Sequence, residues 1–519
     1  MALIPYRGNL SSAVFPMTLA DAGRTVINPQ ADQNFDRRVD PAGEQKDAGI
    51  PQAIYLENVI PTVNGYQSVG YRARTVLPPR ASGAGTCIFR QGFFVDDAIL
   101  IARDGTGSYQ DVISNNISCS LAWQYQSTAT APASGNVHTI AKVRGVNYWC
   151  DRVSLFTFTV NSATKQTTFV DISGTVTGIT VSNIRAICSS YNYLVALMDD
   201  ESIAWSSTTT PTDFTVSLVT GAGSETPSNA QGANFLVSHP AGFIIYCSTG
   251  VVFAQYTGNS RYPWKFTPVT NAGGYTDFNQ IAGTTTHQQH YGIDDSNKVQ
   301  IISGSEAQLV APEVTTFLER KNYRDVFDYI TNTFSRSATL INARIFYLLD
   351  RYIIVSTRYN ADTQFSVAIV YDLLLQRYGI VKVAHQYVFA DSTTLVFVPG
   401  YAGDTPYTWS LDIYDTNATF SGVLFLGKFQ FIRDRHLQLE EIDIESAQDS
   451  AYTARNFSLL LFSSLDGKNF QTPVTLSPTF TGNLITTKTH KTALNHSLML
   501  KGAFDVNTLQ LKFRIAGER

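Results

Sequence analysis

Few groups of residues in this chain have the types and spacing for chemistry, and each is incomplete. His287 and His290 stand three apart, a spacing that suits two metal ligands on a helix. GTTT before them and YGID after read instead as turn and strand, and no third ligand accompanies them. Asp294, Asp295 and Asn297 offer oxygen donors but lack the glycine and closing glutamate of a calcium loop, which leaves solvated turn residues. Asp199, Asp200 and Glu201 gather three carboxylates at a hairpin tip, whereas acid–base hydrolysis of a glycoside needs a pair facing each other across a cleft. No GxSxG elbow, phosphate-binding GxxxxGK[ST] loop or GxGxxG after a strand occurs. Gly83–Ala84–Gly85 and Gly221–Ala222–Gly223 lie in Ser/Thr-rich loops with no helix following. The expectation is a protein without catalytic residues, cofactor or metal, and not an enzyme.

One acidic grouping is regular. In 437–445, LQLEEIDIE, strand alternation puts Glu441, Asp443 and Glu445 on one face and Glu440, Ile442 and Ile444 on the other. Such a face is either a solvated exterior or a wall along which a polyanion such as DNA slides, because like charge opposes phosphate binding.

The elements that would position these residues are strands. In 184–214, Tyr193, Val195 and Leu197 alternate with Leu194, Ala196 and Met198, so both faces of one strand are apolar. Asp199 to Glu201 then form the turn, Ser202 to Trp205 return, and Pro211 marks the exit. A strand apolar on both faces needs cover on both sides, which radially stacked sheets provide. From about Arg80 to Thr419 the same theme of apolar strands, polar turn and Gly- or Pro-marked exit recurs at irregular intervals, giving five to seven small sheets. The segment 312–334 breaks the theme: Pro312 at a helix-start position and a stripe through Phe317, Leu318, Val326, Phe327 and Ile330 predict a short helix or helix pair. Beyond Thr419, longer alternating strands and the turn SLDGKNF at 464–470, similar to a turn of discoidin-like sandwiches, predict a β-sandwich. Residues 1–52 are polar and aperiodic and read as an extended arm that orders on assembly. The fold expected is all-β: an arm over 1–52, an irregular β-propeller over 53–420 with the helical insertion, and a sandwich over 421–519.

Composition narrows the class. Charged residues make up 15% of the 519, beside 26 Tyr and 31 Phe. That pattern fits either large subunit interfaces or the ordinary preferences of strands. A net charge of −4 argues against a surface that grips nucleic acid. Five scattered cysteines (Cys87, Cys119, Cys150, Cys188 and Cys247) form no CxxC pair and read as free, mostly buried thiols of a protein made in a reducing cell. The opening MALIPYRGNLSSAVF has no continuous apolar run, and no stretch approaches roughly 18 apolar residues, so neither a signal peptide nor membrane insertion is expected.

Several segments together resemble a known family. Asn58–Val59–Ile60–Pro61 with Gly65 and Gly70–Tyr71–Arg72, then Ile203–Ala204–Trp205–Ser206 with Pro211–Thr212–Asp213–Phe214, are similar to segments of the short-tailed bacteriophage (podophage) tail nozzle, or tail tubular protein B. The family includes the head-completion tail hub branch. The stretch 235–256, Ile301 to Ser303, Val310 to Val314, and Val370–Tyr371–Asp372 with Arg377–Tyr378–Gly379 extend the resemblance over roughly 53–470. It implies a structural virion protein, assembled in the host cytoplasm, six copies of which form a ring below the portal and adaptor rings. Such a ring conducts and gates double-stranded DNA at ejection and anchors tail fibres or spikes. Glu441, Asp443 and Glu445 are then candidates for the channel lining. The rival expectations are a glycan- or receptor-binding module, with Tyr262–Pro263–Trp264 as its best loop, and a glycosidase. For the latter, the one Asp466–Gly467 turn is a residue shorter than sialidase turns and lies outside the propeller.

Overall fold

The structure is a computed structural model. It describes 137–283 and 288–319 without a break, most of 53–76, 87–126, 340–398 and 436–515, the strands Tyr407–Leu411 and Gly422–Leu426, and short strand pairs within 323–338. From 1–52 it describes Ser12–Thr18, Arg38–Val39 and Ile50–Pro51.

Seven antiparallel four-strand units follow one another along the chain, each with its strands adjacent in sequence order. Blades 1 to 5 span 87–126, 139–171, 184–225, 233–268 and 281–309, and blade 6 spans 340–381. Blade 7 takes Tyr387–Ala390, Leu395–Val398 and Tyr407–Leu411 from late in the chain and Arg72–Val76 from early in it as its outermost strand. That splice fastens the ring shut, and the Tyr387 hydroxyl of blade 7 donates to the Gly92 carbonyl of blade 1 at 2.8 Å. The fold is an irregular β-propeller. Its apolar clusters lie between blades: Trp149 packs edge-on against Phe93 of blade 1 and Phe158 and Phe169 of its own blade. The second strands of blades 3 and 4, Tyr193–Met198 and Gly242–Cys247, are buried at every position, as cover on both faces requires.

Two five-stranded sheets form the sandwich. One pairs Ser12–Thr18, Thr508–Ile515, Leu437–Glu445, Leu484–Ala493 and Thr479–Thr481; the other pairs Ala53–Glu57, Gly422–Leu426, Asn495–Gly502, Phe457–Ser464 and Val474–Leu476. Leu439, Ile442, Leu459, Leu500 and Leu511 fill the space between them. Val59–Pro61, Tyr66–Ser68 and Asp505–Val506 extend blade 6 to seven strands and join its core to that of the sandwich. Backbones approach so closely here that a Cβ on Gly65 would strike the Val506 carbonyl, and one on Gly379 the Val59 carbonyl.

Three expectations change. Residues 53–57 belong to the sandwich and 59–68 to the joint, so the chain first enters the propeller at Arg72–Val76. Part of the arm, Ser12–Thr18, is a strand paired within its own chain to Thr508–Ile515. The helix of 312–334 stops at Glu319. Tyr323–Arg324 pairs with Ser337–Ala338 and Phe327–Asp328 with Thr333–Phe334, so the remainder is a β-ribbon. Its alternating aromatic, β-branched and polar residues suit a ribbon better than a second helix.

Candidate functional site

Antiparallel blade order places the connections before first strands, and those between second and third strands, on one face, here called upper. The connections between first and second, and third and fourth, strands share the lower face. Near the axis of the upper face, a cavity of about 270 Å³ is lined by Arg152, Arg185, Asn234, Thr276 and Phe278, contributed by blades 2, 3 and 4 and the connection into blade 5. Arg152, held at φ +68° in its turn, donates through Nη2 to Asp199 Oδ1 at 3.2 Å. Arg185 Nε lies 3.5 Å from the same oxygen, its Nη2 donates to the Asp199 carbonyl at 3.1 Å, and its Nη1 donates to the Ala233 carbonyl of blade 4. Asp199 is therefore a clamp between blades.

The other upper-face acids are similarly engaged. Asp200 accepts from the Ser202 hydroxyl and amide, which holds its carboxyl below the usual range. Glu201 accepts from the Gly232 amide at 3.1 Å. Asp294 accepts from the Ser296 and Lys298 amides, closing its own turn, and Asp295 accepts from Thr276 Oγ1 and Gln280 Nε2, both at 2.9 Å. His287 lies outside the described residues. His290 is fully buried, with Nδ1 2.7 Å from the Tyr246 hydroxyl and Nε2 3.1 Å from the Ser238 carbonyl, so both ring nitrogens are occupied. No cluster of three potential metal ligands occurs among the described residues. Cys150, Cys188 and Cys247 are free and buried, and burial pushes the thiols of Cys150 and Cys247 up to about 12, far from the reactive thiolate. No helix among the described residues is long and apolar enough to cross a membrane.

Glu441, Asp443 and Glu445 do share the outer face of the sandwich, but two details correct the acidic-wall picture. A β-bulge between Leu439 and Glu441 shifts the register, so Leu439, Ile442 and Ile444 point inward while Glu440 stays half-buried, 3.5 Å from Arg514 Nε. Lys488 and Lys512 stand directly across from Glu441 on the two neighbouring strands. Glu445 accepts from Thr508 Oγ1 at 2.7 Å. The face is charge-balanced.

The lower face differs in kind. Trp264, expected in an exposed glycan loop, is buried, while Tyr262 beside it is 60% exposed. Tyr191, also exposed, stacks on Tyr256 with centroids 4.1 Å apart. The connection between the third and fourth strands of blade 3 carries Val216, Leu218 and Val219 at 73%, 70% and 96% exposure. Ser217 fixes this tongue: its Oγ accepts from the Val219 and Thr220 amides, and its carbonyl accepts from the Gly221 amide. At the base of the same loop, Phe214 is buried between blades 2 and 3, and Trp205 Nε1 donates to the Gly221 carbonyl at 2.8 Å. The resembling W-S…P-x-D-F segment is thus a blade fastening.

Reading the sequence missed the Arg152–Asp199–Arg185 clamp, because no local motif joins three consecutive loops of different blades. The tongue had a signal, the apolar cluster VSLV next to a loop glycine, but it is equally consistent with a strand.

No protein-family model matches the chain, and no curated protein matches it. Among solved structures it is similar to U3-55K (8% identity, TM-score 0.38, covering 66% of this chain and 98% of that one). It is also similar to the RRP9 WD40 repeats (9% identity, TM-score 0.39, 66% and 99%) and to SapL1 lectin in complex with alpha methyl fucoside (7% identity, TM-score 0.33, 59% and 97%). Likeness at this level carries no functional argument; the chain's own sheet order makes it a β-propeller.

Proposed function

We propose that this chain is a structural virion protein of the short-tailed phage tail-nozzle kind, one subunit of a ring that conducts DNA below the portal and adaptor and anchors fibres or spikes. The observation that supports this reading most is mechanical. A closed propeller and a sandwich share one sheet and one core, while the acids and histidine that invited a chemical reading are engaged in hydrogen bonds that fasten blades and turns. Such a block suits load-bearing assembly, and nothing in its upper cavity pairs two carboxylates across a cleft. Electron microscopy of the purified full chain and of the virion tests it: six-fold rings are expected, and a protein absent from the tail would end the reading. In the ring, the balanced face around Glu441 is the wall that DNA passes. Glu441→Gln unmasks Lys488 and Lys512, and slower genome release is the expected result; unchanged release removes that role.

A second reading, recognition of glycans, is favoured by the exposed Tyr262 and the Tyr191–Tyr256 stack. A glycan array bound by the intact chain and lost with Tyr262→Ala would support it.

A further inference from the structure

We propose that the tongue at 216–219, with the Tyr191 and Tyr262 surface beside it, is one half of a front-to-back interface between copies of this chain. The other half is the upper corner of blade 2, at Val153, Val170 and Asp171. The proposal rests on the ring reading and names the surfaces that would build it.

Three observations carry it. First, the tongue is held in shape by Ser217 and still presents three large aliphatic side chains to solvent. Exposed apolar residues grouped in this way mark contact sites, whereas single scattered ones do not. The patch is continuous toward blade 4: a Cβ on Gly221 would sit 3.1 Å from the Tyr193 hydroxyl, Tyr193 lies against Tyr256, and Tyr256 carries Tyr191.

Second, its charge has one sign. Arg144, at the lower end of blade 2, donates to the Thr208 and Thr209 carbonyls of the loop that bears the tongue. Arg261 and Lys265 flank Tyr262 in the sequence, with the Arg261 guanidinium 5.5 Å from the Tyr262 ring centroid. Two such patches related by a two-fold axis would bring like charges together, so a self-complementary dimer is disfavoured.

Third, the opposite face supplies the complement. Val153 and Val170 are 55% and 57% exposed at the upper end of blade 2, next to Asp171 and close in the chain to the acids of the blade 3 turn. Apolar meets apolar and cation meets carboxylate only when the lower face of one copy docks on the upper corner of the next. A contact of this head-to-tail type closes into a ring when its rotation divides the circle, and otherwise grows into a filament.

The full chain is tested by mass photometry over a concentration series and by cross-linking. Wild type is expected to assemble; Val219→Asp and Arg261→Glu each weaken assembly at least about tenfold without lowering Tm, and Asp171→Arg restores it in the Arg261→Glu background. With Val219→Cys and Val153→Cys combined, copper-catalysed air oxidation should give a ladder of covalently linked copies, and either cysteine alone should not. Rings that persist in Val219→Asp, or a linked dimer from Val219→Cys alone, would overturn the interface and leave the ring reading standing. A wild-type chain that stays monomeric at every concentration would overturn both.

Discussion

Tyr193–Met198 in blade 3 and Leu437–Glu445 in the sandwich are both central strands, yet they bury their side chains differently. Every residue of the first is buried, while the second alternates except at its bulge. Blades stack on one another, so a blade strand has an apolar neighbour on each side; the sandwich sheet has one packed face and one exposed to solvent. The contrast shows which positions of this chain can carry function. A blade offers only its loops, whereas the sandwich offers a whole sheet face as well.

The sharpest way to break the contrast is a charge inside a blade. Leu197→Asp, at a fully buried site, places an unpaired carboxylate between blades and should cost more than about 4 kcal/mol, seen as loss of soluble folded chain. In the sandwich the expected cost depends on the face. Ile442→Ala should destabilise by about 2–5 kcal/mol in chemical denaturation. Asp443→Ala next to it should stay within about 1 kcal/mol of wild type, because one of its carboxylate oxygens is buried without a partner and its removal relieves that cost. Equal costs at the two positions would refute the one-faced description.

Acid sharpens the comparison differently, because each region buries a histidine. His385, against Ser356 and the Val383 carbonyl, and His496, between Ser463 and the Leu437 carbonyl, are both pushed down to about 4 by burial. An unfolded histidine takes up its proton near pH 6.5, so between there and 4 the unfolded chain binds more protons than the folded one. Stability is full above that range and falls as the pH drops through it. His496→Gln should flatten the acid loss of the sandwich and His385→Gln that of the propeller, as followed by hydrogen exchange across pH 4 to 7. The smallest effect belongs to a lower-face ion pair. Lys142 and Asp96 meet at 2.6 Å but are 53% and 39% exposed, so Lys142→Ala should change stability by less than about 1 kcal/mol.

Much of this was readable in the sequence. The two apolar faces of 193–198, the turn at Asp199 to Glu201, and the alternation after Leu437 each follow from local periodicity, and together they indicate stacked sheets followed by a sandwich. Non-local pairings left no such trace. Nothing in Arg72–Val76 says that it closes blade 7, nor in Ala53–Glu57 that it joins the sandwich, because a strand's partner is chosen by the whole fold. The bulge that keeps Glu440 off the inner face, and the lysines opposite Glu441, are likewise properties of register. The site suffered most: the Asp199 clamp and the exposed tongue depend on loops brought together by blade stacking.

The most direct measurement is a cryo-EM map of the assembled full-length chain. A closed ring is expected, with Val216, Leu218 and Val219 of each copy buried against Val153 and Val170 of its neighbour. Isolated monomers, or a ring in which the tongue faces solvent, would contradict this.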